Sequence, residues 1–216
     1  MMAEADVQAL HEDADLLVLC KPAGLLCVPG KGPDKQDCLS ARAQQRWPGA
    51  LVVHRLDQAT SGLVLMARHP PAQRRLGLAF EERRVAKRYQ AVVQGRMDAA
   101  DGAWHAIDLP IAADWARRPL RVIDAEKGKP SLTRWRALAH DAAAGTTRVE
   151  LEPVTGRTHQ LRVHLAAVGH PILGDALYAD AATQARSPRL LLHASHLAFA
   201  HPGSDAALSF EWPADF

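Results

Sequence analysis

The chain has 216 residues and a mass of 23.5 kDa, with 48% hydrophobic and 23% charged residues. That balance suits one large globular domain, or two small ones sharing a cleft, and excludes a disordered chain. The net charge of +2 assigns no partner by itself. No apolar run reaches the ~18 residues of a membrane helix, and the acidic start, with Glu4 and Asp6, lacks the basic-then-apolar order of a signal peptide; a soluble cytoplasmic protein without membrane contact is expected. The three cysteines, Cys20, Cys27 and Cys38, form no Cys-x-x-Cys pair. They predict buried or half-buried thiols rather than a disulfide framework or a zinc site.

In chain order, residues 1–11 predict an N-terminal arm rich in acidic groups, and residues 12–216 a single domain. Leu16-Leu17-Val18-Leu19 reads as a buried strand that Lys21-Pro22-Ala23-Gly24 turns. Gly62-Leu63-Val64-Leu65-Met66-Ala67 reads as a second. A polar connection, His54-Arg55-Leu56-Asp57-Gln58-Ala59-Thr60-Ser61, leads into it, and polar residues at strand ends are where chemistry usually sits. Pro71 to Arg83 predicts a helix, with Leu76, Ala79, Phe80 and Arg83 on one face. Tyr89 to Val93 predicts a strand. Thr147 to Glu152 predicts another, with Val149 and Leu151 on one side and solvated charges, Glu150 and Glu152, on the other. A helix follows, with Thr158 as N-cap, Leu161, Leu165 and Val168 as its stripe, and Gly169 as its stop. Leu190–Leu192 and Leu197–Phe199 predict late strands. Strands outnumber helices without regular alternation, which predicts an α+β fold around a mixed, largely antiparallel sheet.

Charge is uneven along this chain. Arg74, Arg75, Arg83, Arg84, Lys87 and Arg88 crowd one stretch; Arg117, Arg118, Arg121, Lys127, Lys129, Arg134 and Arg136 crowd another. Such stretches suit a groove for a phosphate backbone, or a merely solvated surface.

Common catalytic motifs are absent. Gly24 to Lys31 spaces its glycines five residues apart where a phosphate loop has four, and Gly32 follows the lysine. There is no His-Glu-x-x-His, no Gly-x-Ser-x-Gly and no Pro-Cys-x-x-Cys. Eleven histidines show no ligand spacing; His159 and His164 lie five apart and do not share a helix face. No metal and no cofactor are expected.

Three segments concentrate polar groups. His54 to Gly62 sets Asp57 two residues from Arg55. Lys87-Arg88-Tyr89 places an aromatic ring after two cations, a platform for stacking a base. Gly156 to Leu165 joins Arg157 to the free amides of a helix start, an anion-friendly surface. Arg162 leaves the apolar stripe at an angle that suits a carboxylate partner.

The segments His54-Arg55-Leu56-Asp57-x-x-Thr60-Ser61-Gly62, Lys87-Arg88-Tyr89, Gly156-Arg157-Thr158-His159-Gln160-Leu161-Arg162, Gly169 to Asp175 and Leu191-Leu192-His193-Ala194 resemble, in identity and order, the RluA family of pseudouridine synthases. Leu19 to Leu25 is similar to that family's first strand. The resemblance runs from about residue 12 to the C-terminus and lacks the S4 domain of larger relatives. It implies the pseudouridine synthase fold, with an RNA-binding cleft on a central sheet, and a cofactor-free isomerase that is usually monomeric. It implies RNA as partner, the anticodon stem-loop of tRNA and large-subunit ribosomal RNA. It implies Asp57 as the catalytic carboxylate, either attacking the substrate or removing a sugar proton, with Arg162 as its charge partner. Tyr89 is then stacked on a flipped uracil over Leu191 or Leu192. Arg55 fills the vacated space or holds phosphate, and His54, Thr60, Arg88, Arg157, His159 and Gln160 bind RNA. An RNA-binding protein without activity has no use for Asp57. A glycoside hydrolase needs a second carboxylate, which no motif supplies.

Overall fold

The computed structural model describes residues 7–97 and 102–216. The acidic residues Glu4 and Asp6 of the expected arm lie outside them. The chain forms two compact units, residues 1–87 with 194–215, and residues 88–193 with Phe216.

The first unit is built on β1 (Gln8–Glu12), β2 (Leu16–Lys21), β3 (Leu51–Val52), β4 (Ser61–Ala67), β11 (Leu192–Ala200) and β12 (Ala207–Glu211). β1 takes up the end of the segment 1–11 expected to be an arm and runs on to Glu12, pairing antiparallel with β2. β2 and β3 both pair antiparallel with β4, and β12 pairs antiparallel with β11. Every residue of β4 is buried, so this strand reads as a continuous apolar run without alternation. Two helices belong here, α1 (Leu39–Arg46) and α2 (Pro70–Glu81). Leu76 and Ala79 of α2 pack with Leu16, Val18, Leu63 and Leu65 in the core. The helix ends two residues short of the expected Arg83, which takes a left-handed φ of 60° and turns the chain away.

α2 starts on a histidine cap. His69 Nδ1 accepts the Ala72 N–H at 3.2 Å, while its Nε2 meets Asp15 at 2.6 Å. Neighbouring Asp13 holds His11 at 2.7 Å and His201 at 3.2 Å. Burial by itself would raise the Asp13 pKa, but His11 and the amides of Asp15 and Leu16 outweigh it and bring the carboxyl down to about 2.

In the second unit, β5 (Ala86–Gln94), β10 (Thr146–Pro153), β9 (Leu132–Asp141) and β6 (His105–Asp108) pair antiparallel in that order. A ribbon of β7 (Ile111–Ala113) and β8 (Arg121–Ile123) stands apart from them. Helix α3 (Gln160–Ala167) packs on β8, β9 and β10, and a short helix, α4 (Ala181–Ala185), follows. The expected Thr158 cap does not form. His159 takes the N-cap position at φ 57° without a side-chain cap bond, because Gln160 reaches back and accepts the Arg157 N–H itself. Of the two late apolar segments expected as strands, Leu197–Phe199 lies in β11, whereas only Leu192 of the first does; Leu190 and Leu191 precede the strand.

Gly62 marks the tightest approach within the first unit. Its φ is +114°, and a Cβ there would lie 2.3 Å from the Ala194 carbonyl oxygen. Gly62→Ala therefore combines backbone strain with a main-chain clash, and is expected to cost about 3 kcal/mol or more. Denaturant unfolding would read this as a lowered midpoint at an unchanged slope.

Candidate active site

The carboxylate singled out in the sequence sits on a turn whose shape is over-determined. Asp57 O accepts the Thr60 N–H at 3.1 Å, and the buried Leu56 donates its amide to Cys27 Sγ at 3.2 Å. Gln58 O accepts the Gly24 N–H at 2.9 Å, and the Gln58 amide returns a bond to Gly24 O at 3.0 Å. Beneath this turn lies Lys21, at the end of β2 and 2% exposed. Its ammonium donates to Pro22 O at 2.9 Å, Leu25 O at 2.6 Å and Gln58 O at 2.9 Å, so all three protons are placed. Burial pulls the Lys21 pKa down to about 8, against the opposing pull of Cys27 and Asp57.

Lys21 was missed as a site residue in the sequence. Its signal was a cation inside an apolar strand next to Pro-x-Gly, which reads equally well as a turn.

His54 enters the turn as packing. Its Nε2 accepts the Leu65 N–H at 2.9 Å, and the ring stacks on Phe80 with centroids 4.4 Å apart. The bond fixes a neutral ring with its proton on Nδ1. Burial, aided by Lys87, pushes the His54 pKa down to about 3. Thr60 is buried and shapes the turn, whereas Arg55 is exposed beside it.

On the second unit, Tyr89 and Arg88 separate. Tyr89 is opposite Leu151 on the face that carries Ala91 and Val149. Arg88 points the other way, as neighbours on a strand must; it lies 4.0 Å from Glu152 and 6.0 Å from the Trp104 ring. On that face Arg134 pairs with Glu152 at 3.0 Å and Arg136 with Glu150 at 2.6 Å. Glu150 and Glu152, expected to be solvated, are thus held in ion pairs.

Arg162, 4% exposed, has a bidentate partner in Asp175, at 2.8 Å from Nε and 2.6 Å from Nη2. Asp175 Oδ1 also accepts the Leu177 and Tyr178 amides. The Tyr178 ring lies 5.1 Å from the guanidinium. Its hydroxyl accepts the Arg121 N–H at 2.9 Å and bonds His159 Nδ1 at 2.6 Å. Asp175 and Tyr178 were read only as part of matching segments or as one of two tyrosines, since nothing local shows that α3 meets them.

Gln160 is spent inside the protein. It accepts from the Thr155 hydroxyl and the Arg157 N–H, and donates to Leu132 O and Thr133. It therefore holds Arg157 in place rather than offering groups to a ligand. Arg157 itself is exposed, with one 3.4 Å bond to Pro130 O. Leu191 is half-buried and Leu192 buried; the Leu191 main chain bonds Val92 and Leu173.

The comparisons with known proteins decide what this arrangement belongs to. The model of the RNA pseudouridylate synthase family matches residues 15–167. This chain belongs to that family, as an RluA-type RNA pseudouridine synthase. The dual-specificity RNA pseudouridine synthase RluA of Escherichia coli (strain K12) is 45% identical over 207 residues, covering 96% of this chain and 93% of that protein. Its counterpart in Yersinia pestis is 43% identical, covering 96% and 98%. Human RNA pseudouridylate synthase domain containing 1 superposes with a TM-score of 0.81 at 32% identity, over 97% of this chain and 84% of that one. The synthase is thus an isomerase acting on RNA. Its fold is the pseudouridine synthase fold, a mixed and mostly antiparallel central sheet with helices. Among the described residues, no helix is long and apolar enough to cross a membrane.

Two measurements check this geometry. Lys21→Met takes the lysine donor from the carbonyls of Pro22, Leu25 and Gln58, of which Gln58 O keeps the Gly24 N–H, and is expected to cost about 3 kcal/mol. A calorimetric scan should show a melting temperature lowered by roughly 6–12 °C. His54 has a folded pKa of about 3 against an unfolded value near 6.5. Between these values the unfolded chain binds more protons, so stability falls as pH drops from about 6.5 towards 3. Denaturation series at stepped pH should show that fall, and His54→Gln should flatten it.

Proposed function

We propose that this synthase converts specific uridines to pseudouridine in the anticodon stem-loop of tRNA and in 23S ribosomal RNA, with Asp57 as its catalytic carboxylate. The observation that carries the assignment is the Asp57 turn: a carboxylate on a fixed main chain, next to a buried ammonium, in a chain of this family. The substrate range follows the dual-specificity relatives, which match along nearly their whole length.

The reaction breaks the C1′–N1 bond of uridine, turns the uracil and joins C1′ to C5. The C5 proton leaves and N1 gains one, so the product is an isomer and no external oxidant or reductant enters the balance. Asp57 either forms a transient bond to substrate or removes a sugar proton; both routes need its ionised form. Arg162 is its charge partner in this reading, and the grip of Asp175 and Tyr178 pre-orients the guanidinium for that task. Tyr89 stacks on the uracil, Arg55 occupies the space the flipped base leaves, and Leu191 and Leu192 line the floor. Extruding the base costs a few kcal/mol, least in a loop. Arg88, Arg157 and His159 hold the RNA. His54 and Thr60 build the turn that presents Asp57.

The test uses tRNA and 23S transcripts carrying tritium at uracil C5. Wild type should release tritium from both, and Asp57→Ala should lose about 10²–10⁴-fold in rate while binding the same transcripts. Release by Asp57→Ala at the wild-type rate would remove Asp57 from the chemistry. Release from one RNA alone would narrow the substrate range.

A further inference from the structure

The second unit holds a cavity that the proposed chemistry does not use. It has a volume of about 560 Å³ and lies beside the β7–β8 ribbon, lined on one side by Trp115, Arg121, Lys127 and Lys129 and on the other by Arg157. Four cations thus face it with one carboxylate, Asp124. That carboxylate is already engaged, since its Oδ1 accepts the Glu126 and Lys127 amides at 2.9 Å each. These bonds hold its pKa below the usual carboxylate range.

Two further features point to a ligand. Arg121 Nε is buried and has no hydrogen-bond partner in the protein. A buried donor without an acceptor costs about 1–3 kcal/mol, so its retention calls for an acceptor from outside. Trp115 is 73% exposed, the largest such value among the large apolar side chains of the described residues, and the Arg118 guanidinium lies 3.8 Å from its ring centroid. A large aromatic ring held in water by a cation, at the mouth of a cationic cavity, has the chemistry of a stacking platform for a nucleobase.

The Arg121 amide donates to the Tyr178 hydroxyl, and the Tyr178 ring lies against the Arg162 guanidinium. That contact is made by the Arg121 main chain, so a change of its side chain leaves the support of Arg162 in place.

We propose that this cavity is a nucleotide subsite for a single-stranded stretch of the RNA substrate, with Trp115 stacking an unpaired base and Arg121, Lys127, Lys129 and Arg157 holding its phosphate. The subsite rests on the substrate reading above but adds residues to it. Arg121 and Trp115 are binding residues, and they should act on affinity rather than on the chemical step.

The test follows the ¹⁹F resonance of Trp115 in full-length protein labelled with 5-fluorotryptophan, assigned by its loss in Trp115→Phe. Pentauridylate should shift that resonance saturably, and Arg121→Gln should weaken the effect about tenfold. Lys127→Gln, an exposed change that spares the fold, should weaken it about threefold and flatten its salt dependence. No shift with pentauridylate, or an equal shift with inorganic phosphate alone, overturns the subsite. In tritium release from transcripts, Trp115→Ala and Arg121→Gln should each raise KM about tenfold with kcat within about twofold. Turnover by wild type with unchanged KM in both variants overturns the subsite and leaves the substrate reading standing. No release by wild type overturns the substrate reading, and the ¹⁹F titration still decides the subsite.

Discussion

The ammonium of Lys21 is the constraint around which the first unit is arranged. A lysine at 2% exposure pays a large desolvation cost, visible in a pKa brought down to about 8. Three main-chain carbonyls offset part of it, and they come from two separate segments: residues 22–25, which leave β2, and Gln58, next to Asp57. The charge that burial penalises is thus the charge that ties β2 to the turn. A neutral side chain of the same length would fill the space and take this donor from the Pro22 and Leu25 carbonyls, while Gln58 O would keep only the Gly24 N–H. The positive charge also sits where Asp57 contributes to its electrostatics, so one residue fixes both the shape and the field of the turn.

A comparable arrangement organises the second unit around Arg162. The guanidinium fork is matched to Asp175 through two bonds, and the Leu177 and Tyr178 amides help to hold the carboxylate. Burying such a pair gives little net stability, but removing either partner strands a charge. Its benefit is positional: Tyr178, His159 and the Arg121 amide join the same network, so α3, the loop after it and the β7–β8 ribbon share one set of hydrogen bonds. The helix start is irregular for the same reason. Gln160 is drawn into bonds with β9 and the Arg157 amide, and His159 takes the left-handed cap that leaves its ring facing Tyr178.

Pairing sorts the cations of the chain into two kinds. Arg134 and Arg136 are matched to Glu152 and Glu150 across the β9–β10 ladder, Arg75 is matched to Asp205, and Arg84 to Glu82. Surface pairs of this sort add little stability, but they reduce the local positive potential. Arg121, Lys127, Lys129 and Arg157 surround a cavity with a single carboxylate. The basic stretch from Arg117 to Arg136, continuous in sequence, is therefore split in space into a matched ladder and an anion-attracting pocket.

Continuous apolar runs sufficed for β2 and β4, alternation for β5 and β10, and helical spacing for α2; in α3 every residue from Gln160 to Leu165 is buried and Val168, expected on the stripe, is exposed. Motif order along the chain was enough to show the family. The strands β6 to β9 and the helix α1 carried no such pattern. α1 has only eight residues and is capped by Cys38, whose Sγ accepts the Ala41 N–H at 3.4 Å, a weak signal in a sequence. Asp57, Tyr89 and Arg162 stood out because each lies in a segment that concentrates polar groups, which is a local property. The roles of Lys21, Asp175, Gln160 and Arg121 depend instead on residues 13 to 57 positions away, or on cavities that form only when separate strands meet. Which polar groups the chain contains was settled by the sequence. Which of them are consumed within the protein, and which are left to meet RNA, is decided by tertiary structure, since a hydrogen bond needs its partner within about 3 Å and the sequence carries no such distance.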